Sequence, residues 1–342
     1  MPAPLEFVAD APPAAGTRVR VADGIDWVRQ PLPFALDHVN CWLLGAAGGA
    51  DEAIGDDATL VDTGIASERG RALWREALGG ARPERLLVTH FHPDHAGLAG
   101  DFAAAGATLL GSAVEIGVVE RLWHIPDADY GSAYADWYAV HGLPVASVER
   151  ARAVGNGYRR IVAEPPPTAR WRTLAEGEEV ALGERRFRVL VGRGHAPDML
   201  LLHDPSDGVL IAADQVLPTI SPNVSIMPLT LDTDPLASFL RTLEALRALP
   251  SDTLVLPSHG RPFRGLHARL DALAAHHEAR LAALRAAARE PLTAFALFPA
   301  LFSRELDAQQ LSFALGETLA HLAHGERFER LERDGLALWR RR

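Results

Sequence analysis

Lysine is missing altogether: all 34 basic residues of this 342-residue chain are arginine. That absence excludes a lysine Schiff base, a P-loop lysine and the strand lysine of a protein kinase. Cysteine is nearly missing too. The single Cys41 can form neither an internal disulfide nor a multi-thiolate metal site, so any metal must be held by imidazole and carboxylate. The long uncharged stretch from Gln215 to Leu231 is broken by Pro218, Pro222 and Pro228, which argues against a membrane span. The opening MPAPLEFVADAPPAAG carries Glu6 and Asp10 and lacks a basic start before an apolar run. A secretory signal is therefore not expected, and a cytoplasmic protein is. Positive charge is outnumbered, 34 residues against 44, and the net charge of −10 weighs against a nucleic-acid partner.

What is present is an ordinary globular composition, 48% hydrophobic and 23% charged. The length suits about two domains, or one large domain with an appendage. Short strands are expected at Thr17–Val21 and Ile25–Arg29 around the Asp23-Gly24 turn, at Val39–Leu44 before the Gly-rich AAGGADEAIGDDA loop, and at Thr59–Asp62. Ser67–Leu78 has helical spacing, Arg85–Thr89 reads as a buried strand, and Asp101–Ala105 and Thr108–Leu110 as a short helix and a strand. From Ser112 to Ala163 the chain turns rich in Trp, Tyr and Ala and reads as a helical insertion, closed by Pro165-Pro166-Pro167. Strands resume at Glu179–Leu182, Arg186–Val191, Met199–His203 and Val209–Ala213. Pro235–Leu249 follows as a helix and Thr253–Leu256 as a last buried strand. From Leu266 the pattern is almost wholly helical, with a later helix at Thr318–Leu322. This division gives a domain over 1–265, with the insertion at about 112–165, and a helical or winged-helix-like domain over 266–342.

Chemistry concentrates where strands end. His90, His92, Asp94 and His95 fall within six residues directly after a strand, and Pro93 among them argues for a tight loop rather than a regular helix. Imidazole nitrogen and carboxylate oxygen are the usual ligands of zinc and similar divalent ions. Four donors in one loop cannot fill two coordination shells, so further donors are expected elsewhere. His195 in GRGHAPD, Asp214 after VLIAA and His259 in PSHG each follow a strand through a short turn.

HFHPDH, with VDTG upstream and GH, AADQ and PSHG downstream in that order, resembles the metallo-β-lactamase fold superfamily over roughly Val19 to Pro262. The resemblance implies an αββα sandwich with a binuclear site along one edge. It implies that His90, His92 and His195 hold one metal, that Asp94, His95 and His259 hold a second, and that Asp214 bridges them. Asp62 would support the ligand loop; by itself it reads equally well as a turn residue before Gly64. Two divalent cations are implied, zinc first, with iron and manganese also accepting the donor set. Asp in place of Cys at 214 points away from one lactamase branch, and Asp94-His95 favours hydrolysis over the di-iron oxygen-reducing branch. Ala196-Pro197-Asp198 follows His195 where the family often has Pro-Gly, so Asp198 is expected either to alter the loop, and with it the placement of His195, or to approach the substrate pocket. The implied mechanism is attack by a hydroxide held between the two cations, with Asp94 orienting it as well as ligating.

The helical insertion supplies His124, Tyr134, Trp137 and His141 as candidate pocket residues. The insertion and the C-terminal helices resemble the glyoxalase II-like and thioester-cleaving branch. A hydrolase of acyl thioesters or esters, acting on a small molecule, is therefore the leading expectation. A metal-dependent endoribonuclease comes next, because some relatives with a winged-helix tail cut RNA. A non-catalytic nucleic-acid-binding module using Trp339 and Arg340–Arg342 comes third. Whether the chain pairs as a homodimer is left open.

Overall fold

The computed structural model describes residues 5–46, 54–229, 232–303, 306 and 308–342. Part of the expected Gly-rich loop, residues 47–53, lies outside them; its first residue, Ala46, ends the strand His38–Ala46, and the rest belongs to the strand Ile54–Val61.

Two seven-stranded sheets form the body. The first runs, in spatial order, Arg18–Ala22, Ile25–Pro31, His38–Ala46, Ile54–Val61, Arg85–Leu87, Thr108–Gly111 and Trp171–Thr173. The second runs Glu6–Phe7, Phe263–Arg264, Leu254–Pro257, Val209–Ala213, Met199–Asp204, Arg185–Gly192 and Glu179–Leu182. They pack face to face because both sides of their central strands are apolar. Trp42, Leu44, Leu200, Leu202, Ile211 and Leu256 point into the layer between the sheets. Their neighbours turn outward: Cys41 and Leu43 pack beneath the helix Glu68–Leu78, while Leu201, Leu210 and Val255 pack beneath Pro235–Leu246. Strands covered on both faces read as unbroken hydrophobic runs, as VLIAA and LVLP do. The result is the expected αββα sandwich.

Helix starts follow their sequence signals. Ser67 caps Glu68–Leu78 through a bond from Gly70 N, and Asp234 caps Pro235–Leu246 through one from Ala237 N. The expected insertion is three helices, Ala113–His124, Asp127–Val140 and Val145–Val154.

Two expectations are corrected. Pro93 does not keep its loop free of helix, because Pro93–Ala96 is a short helix with proline in its first turn. A proline there costs no hydrogen bond and its fixed φ suits the turn. The tail from Leu266 is not almost wholly helical either. After the helix Leu266–Ala287 comes the short strand Leu292–Thr293, and after the helix Ala308–Ala323 a hairpin of Phe328–Arg333 and Leu336–Arg341 completes a three-stranded sheet. Its turn is Asp334-Gly335, both at positive φ, which matches the twist that two-residue hairpins require.

Candidate metal centre

Four strands deliver the donors to one edge of the sandwich. Arg85–Leu87 leads into His90, His92, Asp94 and His95; Arg185–Gly192 leads to His195; Val209–Ala213 leads to Asp214; Leu254–Pro257 leads to His259. The last two strands are parallel neighbours, so Asp214 and His259 emerge side by side. A register shift between Ile211 and Ala213, with Ala213 at φ 44°, re-aims the chain just before Asp214.

The ligating atoms meet as two groups. His90, His92, His195 and Asp214 place one donor atom each within 4.8 Å of one another, and Asp94, His95 and His259 do the same. His90 Nε2 lies 3.0 Å from His92 Nδ1 and 3.3 Å from His195 Nε2. Ligands about 2.0–2.1 Å from a tetrahedral cation sit about 3.3 Å apart, so this spacing fits one ion. Asp214 divides its oxygens between the groups. Oδ2 is 3.2 Å from His195 Nε2, whereas Oδ1 is 3.6 Å from His95 Nε2 and 3.4 Å from His259 Nε2. Asp94 Oδ2 closes the second group at 3.6 Å from His95 Nε2 and 3.5 Å from His259 Nε2.

The imidazoles are turned by partners on their far side. His95 Nδ1 donates to Asp62 Oδ2 at 2.7 Å, His195 Nδ1 to the Asn223 carbonyl at 2.8 Å, and His259 Nδ1 to the His38 carbonyl at 2.6 Å. Each bond fixes the tautomer and leaves Nε2 as a lone pair facing the cluster. Asp62 also accepts from Thr89 N and Thr89 Oγ, both at 2.8 Å, so it supports the ligand loop and the ligand together. The VDTG turn grips the same loop, since Thr63 N and Gly64 N bond the carbonyls of His95 and Asp94. Gly97 allows this closeness, because a Cβ there would meet the Gly64 carbonyl at 2.4 Å.

Electrostatics agree with a cation-binding role. Burial holds His90 and His92 well below the ordinary imidazole range, so both are neutral and able to coordinate. Burial also opposes charge on His95, but without a cation the surrounding Asp94, Asp62 and Asp214 carboxylates hold a second proton there up to about pH 10. The same negative field would favour a metal cation, which must displace that proton to bind Nε2. Burial would raise Asp214, yet His259 and His95 hold it well below the usual carboxylate range. Among the described residues, His95 Nε2 and Asp214 Oδ1 are buried without a hydrogen-bond partner. Buried polar atoms left alone are costly, and a divalent cation between them would satisfy both.

Two cavities open on the cluster. A cleft of about 750 Å³ is lined by His92, Asp94, His195, Asp214 and His259 together with Leu32, Phe34 and Phe313. A chamber of about 220 Å³ shares His92 and His195 and runs back under the helical insertion. A larger groove of about 970 Å³ against Asp23, Arg185 and Asp207 shares no residue with the cluster and holds none of its donors.

Of the five pocket candidates, Tyr134 lines the small chamber; His124, Trp137, His141 and Asp198 line neither cavity. His124 is exposed at the end of its helix. His141 is buried where its backbone carbonyl bonds Phe295 N. Trp137 packs against the C-terminal core, and Asp198 Oδ1 accepts from Arg193 Nε at 2.8 Å. Helical spacing gave the insertion its faces but not which face looks at the cluster.

Several contributors were not anticipated. Glu115 accepts from Phe91 N at 3.0 Å and Asp198 N at 2.7 Å, which ties the two histidine loops together; burial raises its pKa to about 7. Its signal was the Ser112-x-x-Glu115 capping-box pattern, in which Ser112 does cap the helix while the Glu turns aside. Asn40 bonds the carbonyls of Pro257 and Gly260, both at 2.8 Å, and steadies the His259 turn from the other sheet. The cleft walls at Phe302, Gln310, Phe313 and Glu317 come from the C-terminal region, which no local pattern places beside the cluster.

Comparison with known proteins agrees with this geometry. A model of the metallo-beta-lactamase superfamily matches residues 35–259, and one of the metallo-beta-lactamase-like C-terminal domain matches 281–339. The crystal structure of a beta-lactamase domain protein from Burkholderia ambifaria is 41% identical, covers 99% of this chain and 98% of its own, and superposes with a TM-score of 0.88. A probable metallo-hydrolase, YqjP of Bacillus subtilis, is 26% identical over 316 residues, 86% of this chain and 90% of that protein. The acyl-coenzyme A thioesterase MBLAC2 of Gallus gallus is 26% identical over 205 residues, 57% of this chain and 64% of its own.

Proposed function

Since the chain belongs to the metallo-beta-lactamase superfamily and is a metallo-hydrolase, we propose that it cleaves small acyl thioesters or esters at the cluster around Asp214. The observation that carries this reading is a polar, metal-competent centre at the floor of a mostly apolar cleft. Leu32, Phe34, Leu36, Leu217, Ile220 and Phe313 form its walls, which suits an organic ester or thioester with a polarised carbonyl rather than a polyanion. The likeness to a protein named as an acyl-coenzyme A thioesterase supports the same class.

His90, His92, His195 and Asp214 would hold one divalent ion, and Asp94, His95, His259 and Asp214 a second; zinc suits the tetrahedral spacing of the first group. Bound there, the ions would lower the pKa of water towards neutrality and stabilise negative charge developing on the scissile carbonyl. The chain's own part is positional. Asp94, with its side chain 19% exposed against 8% for Asp214, is the acid more open to the cleft. It is placed to orient the attacking water and receive its proton. Asp62, Asn223 and the His38 carbonyl keep the imidazoles from turning as charge changes in front of them.

A nucleic-acid substrate is disfavoured by the tail itself. Trp339 is buried, and Arg340 pairs with Glu329, Arg342 with Glu326 and Arg327 with Glu278, so acidic side chains beside these arginines weaken their pull on phosphate. The test is turnover of a thioester, lactone, β-lactam and RNA panel by the full chain, with metal measured on the same sample. Thioester cleavage should disappear with a chelator and fall on the order of 10²–10⁴-fold in Asp94→Ala. Cleavage of RNA or lactam with thioesters untouched would overturn the reading.

A further inference from the structure

The cleft and the small chamber differ in what they can accept, and both start at His92 and His195. The chamber is walled by Phe91, Leu122, Tyr134, Tyr158, Met227 and Leu229. Its polar wall groups are largely spent on the protein: Tyr158 Oη donates to the Phe91 carbonyl at 2.6 Å, Ser225 Oγ donates to Asn223 Oδ1 at 2.5 Å, and Asp232 Oδ1 accepts from Asp234 N at 2.9 Å. Beneath it, Val118, Leu122, Tyr158 and Val162 form a small separate core that fixes its depth.

The cleft, by contrast, carries Gln310 and Glu317 on the face contributed by the C-terminal helix. Glu317 is buried, and its Oε1 lies 3.3 Å from Arg280 Nη1. Phe313, an exposed large hydrophobic residue, stands at the boundary and lines both spaces. One space therefore suits an apolar group of limited size; the other, apolar on most walls but with Gln310 and Glu317 on one, suits a larger group of mixed character.

We propose that the chamber under the helical insertion is the acyl subsite, taking short to medium saturated chains, and that the leaving group lies in the cleft against the C-terminal helix. The assignment rests on the thioester or ester reading above. A chain entering past His92 and His195 sets its carbonyl beside the metal donors and buries its methylenes against Leu122, Tyr134 and Leu229. Chains longer than the chamber must stay outside it and lose that burial. Each methylene accommodated or rejected in such a pocket changes discrimination by about 10–200-fold.

The test compares kcat/KM for acetyl, butanoyl, octanoyl and palmitoyl thioesters of one thiol, using the metal-loaded full chain. The optimum should fall at butanoyl or octanoyl, with palmitoyl at least about tenfold slower. Tyr134→Ala enlarges the chamber and should move the optimum to longer chains; Leu229→Trp fills it and should move the optimum to shorter ones. Tyr134→Phe should leave the profile unchanged. Calorimetric titration with free octanoate reads the chamber without turnover, and Leu229→Trp should weaken that binding at least about tenfold. If no thioester is cleaved but octanoate binds and is lost in Leu229→Trp, the hydrolytic reading fails and the apolar subsite stands. A flat chain-length profile unmoved by either variant, or octanoate binding indifferent to Leu229→Trp, overturns the subsite.

Discussion

Asp62 holds its backbone at φ 61°, a left-handed conformation that non-glycine residues avoid, and uses it to reach His95 and Thr89 at once. Strain of this kind persists where surrounding bonds over-determine it, and here they orient a metal donor. Asp62→Gly separates the two effects. It relieves the backbone strain but removes the acceptor for His95 Nδ1, so metal affinity measured against a competing chelator should fall about 10–100-fold. Wild-type affinity in that variant would show that Asp62 is only a turn residue. His277 and His321 make a second buried pair, behind the cleft wall at Glu317, with His321 Nδ1 donating to the Glu317 carbonyl and His277 Nδ1 set 3.1 Å from His321 Nε2. Burial first, then the neighbouring positive groups, lowers His277 to about 3 and His321 to about 4. Both folded values lie below the unfolded one, so acid protonates the unfolded chain first. Their contribution is complete above about pH 7 and fades as pH falls from 6.5 towards 4. In metal-free protein, the double variant His277→Phe with His321→Leu should lose about 4 kcal/mol less unfolding free energy than wild type between pH 7 and pH 5, about 2 kcal/mol from each histidine. Equal losses in denaturant titrations would contradict this.

Among elements, the helix Ala308–Ala323 matters beyond its own core. Ile226 N bonds the Gly316 carbonyl at 3.0 Å, and a Cβ on Gly316 would meet Met227 Sδ at 2.8 Å and Ser225 Cβ at 2.9 Å. The segment gripped in this way carries Asn223, whose carbonyl orients His195. Gly316→Val should force the helix away from that segment and cost about 1–3 kcal/mol of stability. It should also reduce bound metal per chain before global unfolding, which elemental analysis alongside a thermal melt would detect. Metal retained in full by a destabilised Gly316→Val would limit the helix to packing.

For the whole molecule, the two sheets and the C-terminal region share one continuous problem of burial. Leu270, Leu273 and Leu281 of the helix Leu266–Ala287 pack in the same cluster as Phe239, Leu243 and Val255. Among the described residues, no helix is long and apolar enough to cross a membrane. With a net charge of −10 and Arg330, Arg340 and Arg342 each beside a glutamate, the chain should show no salt-dependent RNA binding tighter than about 10⁻⁵ M. Retention of RNA with a steep dependence on salt concentration would reverse that conclusion.

How much could be read in advance follows from what is local. The strand runs VLIAA and LVLP, the Ser67 and Asp234 caps, and the donors after each strand are short-range signals, and the chain obeys them. The hairpin at Asp334-Gly335 was equally local but was hidden by the Arg- and Glu-rich strands around it, whose exposed positions carry no hydrophobic alternation. Sequence alone determined which atoms could ligate, because donor chemistry and strand-end position belong to each residue. Tertiary structure alone decided which tyrosine faces the chamber, that Glu115 and Asn40 brace loops from a distance, and that Phe313 and Glu317 wall the cleft. Those outcomes depend on how helices rotate and dock against a sheet they do not adjoin in the chain. That rotation is fixed by the burial of many side chains together, which no single stretch of residues encodes.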